Sequence, residues 1–285
     1  MNASPARTAI AALLASTLLF AGCNDGDDET KSTPGGGSSS DTTSAATNGA
    51  STSEGSDVDT SGLDKDAFFE TIVRAQQDAG SFRSVTTTSA GGIDVVLDSE
   101  AIYQDGEFLG HGKSTPGSAQ QVETVIASGV LYLKGEGLGI PAGKWVKLDP
   151  NDPDNADNPL AGLAAAADPQ VALSAMGDLD SLELVGPETV GGVDASHYRA
   201  VMKTKTYADA LNLPAEMARF LPAKLPFDMW IDEDNRPVKF TVSFDIGGTK
   251  SSTEQTYFDY GADLDVVTPK DSDTVPFSSL GFGQG

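Results

Sequence analysis

Apolar residues recur along this chain at two spacings, one typical of helices and one typical of strands. Over residues 63–79 they fall at every third or fourth position, which predicts an amphipathic helix that ends at Gly80. The period then changes to two, because Ile93, Val95 and Leu97 lie at alternate positions. This alternation indicates a half-buried strand.

Further stretches with a period of two predict a series of strands joined by tight turns. The predicted strands are residues 121–126, 130–134, 144–148, 181–185, 193–203, 227–231, 240–246 and 254–260. The predicted turns contain Asp105-Gly106, Ser128-Gly129 and Asp234-Asn235. Because short turns join antiparallel neighbours, we expect a mostly antiparallel sheet, with an extended tail after residue 260.

Two helical segments interrupt the predicted strands. One covers residues 160–179 and is divided at Pro169, and the other covers residues 207–220 and is broken at Pro214. A sheet of about 9–11 strands tends to curl, and the helices are its only available cover. We therefore predict an α+β fold, a half-barrel of mostly antiparallel strands capped by short helices. The periodicity fits a hollow interior and a filled one equally.

The first 22 residues have the features of a secretory signal. Arg7 gives a positive start, and the apolar run from Ile10 to Phe20 is too short to remain as a membrane span. Residues 19–23 (Leu-Phe-Ala-Gly-Cys) resemble the lipobox of bacterial lipoproteins, with Phe20 where Leu is usual. That resemblance implies that Cys23 carries a diacylglyceryl group and acyl chains such as palmitate. The alternative is an ordinary signal peptide that is cut elsewhere.

Residues 23–60 are predicted to be a lipid-anchored cysteine followed by a disordered linker. This stretch consists mainly of Ser, Thr, Gly and Asp, and Val58 is its one branched aliphatic residue. It buries too little apolar surface to offset chain entropy, and its reach is roughly 30–35 Å. Residues 61–285 have the length of one folded domain. The expected location is the outer, extracytoplasmic face of the cell membrane.

The charge balance argues against two classes of partner. Eight of the 42 acidic residues and two of the 18 basic residues precede residue 61, so the predicted domain carries 34 acids and 16 bases, a net charge of −18. Such a surface repels nucleic-acid phosphates and has no attraction to anionic lipid head groups. We therefore expect no nucleic-acid partner and no membrane contact besides the anchor at Cys23.

The sequence lacks a recognisable catalytic or metal-binding motif. Its two histidines, His111 and His197, are not spaced as metal ligands, and the nucleophile pattern G-x-S-x-G does not occur. Asp152, Asp154 and Asp157 could gather calcium, but the EF-hand pattern is not met and a solvated Asp/Asn/Pro turn is the favoured interpretation. We expect a protein that is no enzyme and has neither metal nor cofactor.

Several short motifs together resemble the LppX/LprG family of actinobacterial lipoproteins. They are Met229–Val238, Gly192–Tyr198, Trp145–Asp149 and Tyr257–Gly261, in addition to the lipobox, the linker and the first helix. The resemblance implies a fold like that of LolA, a half-open barrel whose helices close an apolar cavity around acyl chains. It implies an acylated lipid or glycolipid as ligand, held for transfer or display.

The resemblance also implies which side chains would line such a cavity. The expected cavity residues are Val95, Leu97, Leu131, Leu133, Leu163, Val171, Met176, Met202, Met217, Phe220, Met229, Phe240, Val242 and Phe244. For each residue, packing in a solid core is the alternative, because cores and cavity walls use the same side chains. LolA-like domains also serve as sensory or protein-interaction modules. An envelope protein partner without lipid cargo is therefore the second hypothesis.

Overall fold

The computed structural model describes residues 62–136, 139–153, 179–210, 221–246 and 249–280. Helix α1 spans Phe68–Ala79 and is the predicted first helix. It begins later than predicted, because the Asp64 carboxylate accepts the backbone N–H groups of Asp66 and Ala67 and forms a turn there. Gly80 ends it as predicted, with φ of 76° and its N–H bonded to the last turn.

Within the described residues, twelve strands form one sheet. They are β1 (Ser81–Ala90), β2 (Ile93–Gln104), β3 (Glu107–Ser114), β4 (Val122–Ala127), β5 (Val130–Gly135), β6 (Trp145–Leu148), β7 (Leu179–Val190), β8 (Val193–Lys203), β9 (Lys224–Ile231), β10 (Pro237–Ile246), β11 (Thr249–Phe258) and β12 (Thr274–Pro276). Their order across the sheet is β12-β6-β5-β4-β3-β2-β1-β11-β10-β9-β8-β7. The predicted curled, mostly antiparallel sheet is confirmed, with more strands than expected.

Two of the additional strands, β1 and β3, lack the apolar alternation by which the others were predicted. The inward positions of β1 are mostly serine and threonine, and those of β3 include Gly110 and Gly112. Both strands are nevertheless paired along almost their whole length, with β2 between them. His111 lies in β3. These two strands are identified by their backbone pairing and not by a pattern of apolar side chains.

The third additional strand lies in the tail, which was predicted to be merely extended. Strand β12 pairs with β6, and this is the one parallel pairing among the described strands. The tail leaves the sheet at β11, and strands β1 to β5 lie between β11 and β6 in the strand order. Short 3-10 helices, Asp271–Asp273 and Phe277–Leu280, flank β12. Val266 of the tail packs against Val125 and Tyr132 on the side of the sheet that we call the outer face.

Helix α1 packs on the opposite side, which we call the inner face. Phe68 and Phe69 contact Tyr198 of β8 and Phe227 of β9, with ring centroids 5.4 and 6.0 Å apart. Helix α2 (Thr204–Ala210) corresponds to the start of the second predicted helical segment. The rest of that segment and the whole 160–178 part of the first lie outside the described residues. Within the described part of the chain, no helix is both long and apolar enough to span a bilayer.

Candidate functional site on the inner face

The larger apolar cluster of the inner face lies beneath α1. Four of the expected cavity residues, Met202, Met229, Phe240 and Val242, are buried in it, and Phe244 packs at its margin. Direct pairing places Met229 opposite Phe240 and Phe227 opposite Val242, as the predicted β9–β10 hairpin requires. Met229 is completely inaccessible to solvent. The structure therefore brings these residues together, but beneath α1 they belong to a packed core.

A second apolar cluster lies on the inner face of the other half of the sheet. It contains three expected cavity residues, Val95, Leu97 and Leu133, together with Val122. Leu131 is also buried on this half, on β5 opposite Leu148. The expected cavity residues Leu163, Val171, Met176, Met217 and Phe220, like Cys23, lie outside the described residues.

Several inner positions carry small, buried hydroxyl side chains, which we call the hydroxyl band: Ser84, Thr86, Thr88, Ser114, Thr124, Ser251 and Thr253. Those on β1 and β11 lie between strands of the two clusters, whereas Ser114 and Thr124 lie within the second cluster, paired with Leu97 and Leu133. Residues that pair directly across strands point to the same face. Thr86 is paired with Leu97 of the second cluster on one side and with Gln255 on the other. Gln255 is in turn paired with Phe240 of the first cluster, so the band joins the two.

The hydroxyl groups of the band are partly bonded to one another and to the backbone. The Thr88 and Thr253 hydroxyl oxygens are 3.4 Å apart, and the Gln255 amide donates to the Ser84 hydroxyl at 3.1 Å. Ser114 accepts the Val122 N–H at 3.0 Å. The inward positions described on β1–β4, β10 and β11 carry no charged side chain.

Sequence reasoning missed the hydroxyl band because it searched inward positions for apolar side chains. The hydroxyl residues of these strands do not alternate with other residues, because Thr87, Ser89 and Ser252 lie between the buried ones. A period of two therefore offers no signal for which hydroxyl groups point inward.

A group of buried polar side chains lies beneath the C-terminal half of α1. Gln76 of α1 is fully buried, and Tyr257 and Tyr260 lie nearby around the ring of Phe82. Burial raises the pKa of Tyr257 well above its ordinary value, and it does the same to the pKa of Tyr260. The Tyr260 hydroxyl donates to the Pro237 carbonyl oxygen at 2.7 Å.

A groove of about 400 Å³ separates the solvent side of α1 from the β9–β10 turn. Its residues are Thr71, Arg74, Ala75, Asp78, Ala79, Asp234, Asn235 and Arg236, and none is an expected cavity residue. The Arg236 guanidinium is bound by Asp232 at 2.9 Å and Asp234 at 2.7 Å and stacks over Tyr260. Arg74, the other arginine of the groove, is 2.7 Å from Glu70, so both arginines there have carboxylate partners.

Both histidines lie on the outer face, in pairs with carboxylates. His111 is 3.1 Å from Glu123, and His197 Nε2 is 2.8 Å from Asp228. Among the residues that the structure describes, three or more His, Cys, Asp or Glu side chains do not gather into a metal-binding group. Asp154 and Asp157 of the calcium alternative lie outside those residues.

No protein-family model matches this sequence, and the search of curated proteins gives no match either. Among solved structures, the Mycobacterium tuberculosis lipoprotein LppX matches at 14% identity over 71% of this chain and 98% of that one, with a TM-score of 0.46. LprF from Mycobacterium bovis matches at 14% identity over 72% and 96%, with a TM-score of 0.43. The MucA/MucB complex of Pseudomonas aeruginosa matches at 16% identity over 70% and 59%, with a TM-score of 0.38. LppX and LprF are thus structural neighbours of this chain, as the motifs predicted.

Proposed function

We propose that this protein is an envelope lipoprotein that holds an acylated lipid or glycolipid against the inner face of its sheet, without catalysing a reaction. The observation that carries the proposal is the division of that face into two buried apolar clusters and the hydroxyl band. Apolar surface next to a few convergent polar groups is the usual lining of a site for an amphiphile.

The second apolar cluster is the better candidate for the seat of an acyl chain. Here Val95 and Leu97 of β2 face the same side as Leu133 of β5, and between these strands the inner positions of β3 are Gly112 and Ser114. This cluster contains no residue of α1, which packs on the first cluster, so a chain laid on it would not have to displace that helix. The space over Gly112 itself is filled, since a Cβ there would lie 2.8 Å from the Thr124 hydroxyl oxygen. Each methylene buried there contributes about 0.8 kcal/mol, so one long chain supplies ample binding free energy.

The location follows from the lipobox resemblance of residues 19–23. In this proposal acyl chains on Cys23 fix the protein to the outer face of the cell membrane, and residues 24–60 act as a flexible linker. The lipid is then taken up, displayed or handed over within the reach of that linker. If the protein is found only in the membrane fraction, transfer of lipid over a short distance stays compatible with the proposal. Carriage of lipid over a long distance is then excluded.

Lipid extraction tests the proposal directly. The full chain carrying Cys23→Ser, which has no anchor, is purified from a bacterial host, and its organic extract is analysed by mass spectrometry. We expect about one lipid per protein. Phe244→Asp, at the half-buried margin of the first cluster, should reduce that ratio, whereas Ser243→Asp on the exposed side of the same strand should not. A clean extract, with no uptake of added acylated lipid, would contradict the proposal.

A second candidate function is supported by the dense packing beneath α1. Phe68, Met229 and Ala200 are completely buried there, so this half of the interior is filled by the protein itself. A filled interior suits a sensory or protein-interaction module that carries no lipid. The extraction experiment separates the two functions, because such a module yields no stoichiometric lipid.

A further inference from the structure

Strand β7 forms one end of the sheet. Among the described strands it pairs with β8 alone, so the backbone N–H and C=O groups along its other side have no strand partner there. It is 12 residues long, whereas β12 at the opposite end of the sheet has 3 residues. An unpaired edge of this length is a template for an additional strand, and proteins usually shorten or block such an edge.

Most of β7 is blocked in this way. Its pairing with β8 shifts register before Ser181 and again after Leu184. Gly186 then has φ of 144°, and Pro187 follows it without an N–H group to donate to a neighbouring strand. Because β-bulges and proline both hinder the addition of a strand, the open part of the edge is the regular stretch of residues 181–184.

The side chains of this open stretch alternate between the two faces of the sheet. Leu182 and Leu184 pair with Ala200 and Tyr198, and they pack at the margin of the first cluster, where they are only partly buried. Glu183 lies between them, exposed on the outer face. A strand beside β7 would therefore cover the two leucines with its own inward side chains and place the residue between these opposite Glu183.

Glu183 also determines which strand fits the edge. An antiparallel pairing of two copies centred on Glu183 places this carboxylate opposite its own counterpart, and like charges directly opposite each other destabilise a sheet. Centring the pair on Leu182 instead sets Asp180 opposite Leu184. Strand β7 carries three acidic residues and no basic one, so the complement of this edge is a strand with basic residues on its outer face.

We infer that the open stretch of β7 binds an extended segment of another protein, in which apolar residues alternate with lysine or arginine. The apolar side chains of that segment continue the inner face beyond Leu182 and Leu184, and a basic side chain lies opposite Glu183. Backbone hydrogen bonds along the edge supply the affinity, and the alternating side chains supply the specificity. The inference does not depend on the lipid proposed above.

Two short capped peptides test the inference, one in which valine alternates with lysine and one in which valine alternates with glutamate. Each is titrated into the full chain carrying Cys23→Ser, and amide hydrogen exchange locates the binding. We expect the lysine peptide to bind roughly tenfold more tightly, because its charge contacts with the edge are all attractive. It should slow exchange within residues 181–184 and leave β12 unchanged.

Glu183→Lys reverses the charge at the open stretch. It should weaken binding of the lysine peptide roughly fivefold and strengthen binding of the glutamate peptide. The matched control is Asp94→Lys, which makes the same change of charge at an exposed position of β2 and should leave the preference unchanged. Glu183→Gln repeats the test without placing a second cation opposite Arg199, in case the reversal disturbs the strand.

Equal affinity for the two peptides would overturn the inference, as would a preference that survives both substitutions of Glu183. Protection of amides outside β7 would assign the peptide to another surface. A chain that sediments as a dimer without peptide and protects residues 181–184 would show that a second copy takes this edge. Absence of binding by either peptide would show that the edge is closed to an added strand.

Discussion

The imidazole of His197 lies parallel to the indole of Trp230 on the outer face, with ring centroids 4.3 Å apart and the planes inclined by 12°. The two residues are direct partners across β8 and β9. Both ring nitrogens of His197 face carboxylates, Nε2 at 2.8 Å from Asp228 and Nδ1 at 3.5 Å from Glu188. Trp230 Nε1 also donates to Glu188. The stack and the two carboxylates therefore connect β7, β8 and β9 on this face.

His197→Ala should lower the free energy of unfolding by about 1–2 kcal/mol, because it removes a ring stack and a hydrogen bond to Asp228. The side chain is only 12% exposed, so solvent screens these contacts weakly. The control is Arg199→Ala on the same strand, whose half-exposed ion pair with Asp228 contributes less than about 1 kcal/mol. Urea unfolding at pH 7 measures both, and equal losses for the two variants would contradict the prediction.

Gln76→Leu should stabilise the protein by roughly 1–2 kcal/mol, because it replaces a fully buried amide whose hydrogen bonding is incomplete with an apolar side chain on the packed face of α1. Gln77→Leu, at the neighbouring partly exposed position, should change stability by less than about 0.5 kcal/mol. Denaturant unfolding of lipid-free protein measures the effect. A destabilised Gln76→Leu protein would show that the amide has a partner in solution.

The buried tyrosines predict a loss of stability in alkali. Burial raises the pKa of Tyr257 above that of the unfolded chain, so the folded state holds this proton more tightly. The contribution of the Tyr257 proton to the free energy of unfolding is complete below the ordinary tyrosine pKa of 10.0 and is lost as the pH rises above it. Tyr257→Phe should therefore flatten the decline in unfolding free energy between pH 9 and pH 11, measured by urea titration at each pH. An identical decline in both proteins would contradict this cause.

Val266 and Val267 of the tail provide a matched pair, because they are adjacent but 8% and 72% exposed, respectively. Val266→Ala should cost about 1–2 kcal/mol, since it leaves a gap against Val125 and Tyr132. Val267→Ala should be nearly neutral. Thermal melting of the two variants checks the prediction, and similar melting temperatures would mean that the tail does not hold this cluster.

The elements with apolar alternation could be predicted from the sequence. The strand over residues 193–203 was predicted, and Tyr198, Ala200 and Met202, at alternate positions in it, are all buried on the inner face. The β9–β10 hairpin was predicted from Asp234-Asn235, and Asn235 indeed has φ of 62° in that turn. In these elements the spacing of apolar residues and the residues that favour turns both agree with the tertiary structure.

The remaining elements are determined by partners that are distant in sequence. The threonines of β1 lie in a central strand because β2 and β11 pair on either side of it, which a local pattern cannot reveal. For the same reason the expected site was described only by its apolar residues, and the hydroxyl band between them was not foreseen. The roles of Cys23 and of the expected cavity residues stay predictions.

The parallel pairing of β12 with β6 has a consequence for the order in which the molecule matures. Thr274 pairs with Trp145, and every other described strand precedes β12 along the chain. Because a polypeptide is synthesised from its N terminus, β6 keeps an unpaired edge until residues 274–276 have emerged. Until then that edge is open to pairing with a strand of another chain, and β12 closes it only once synthesis has reached the end of the sheet.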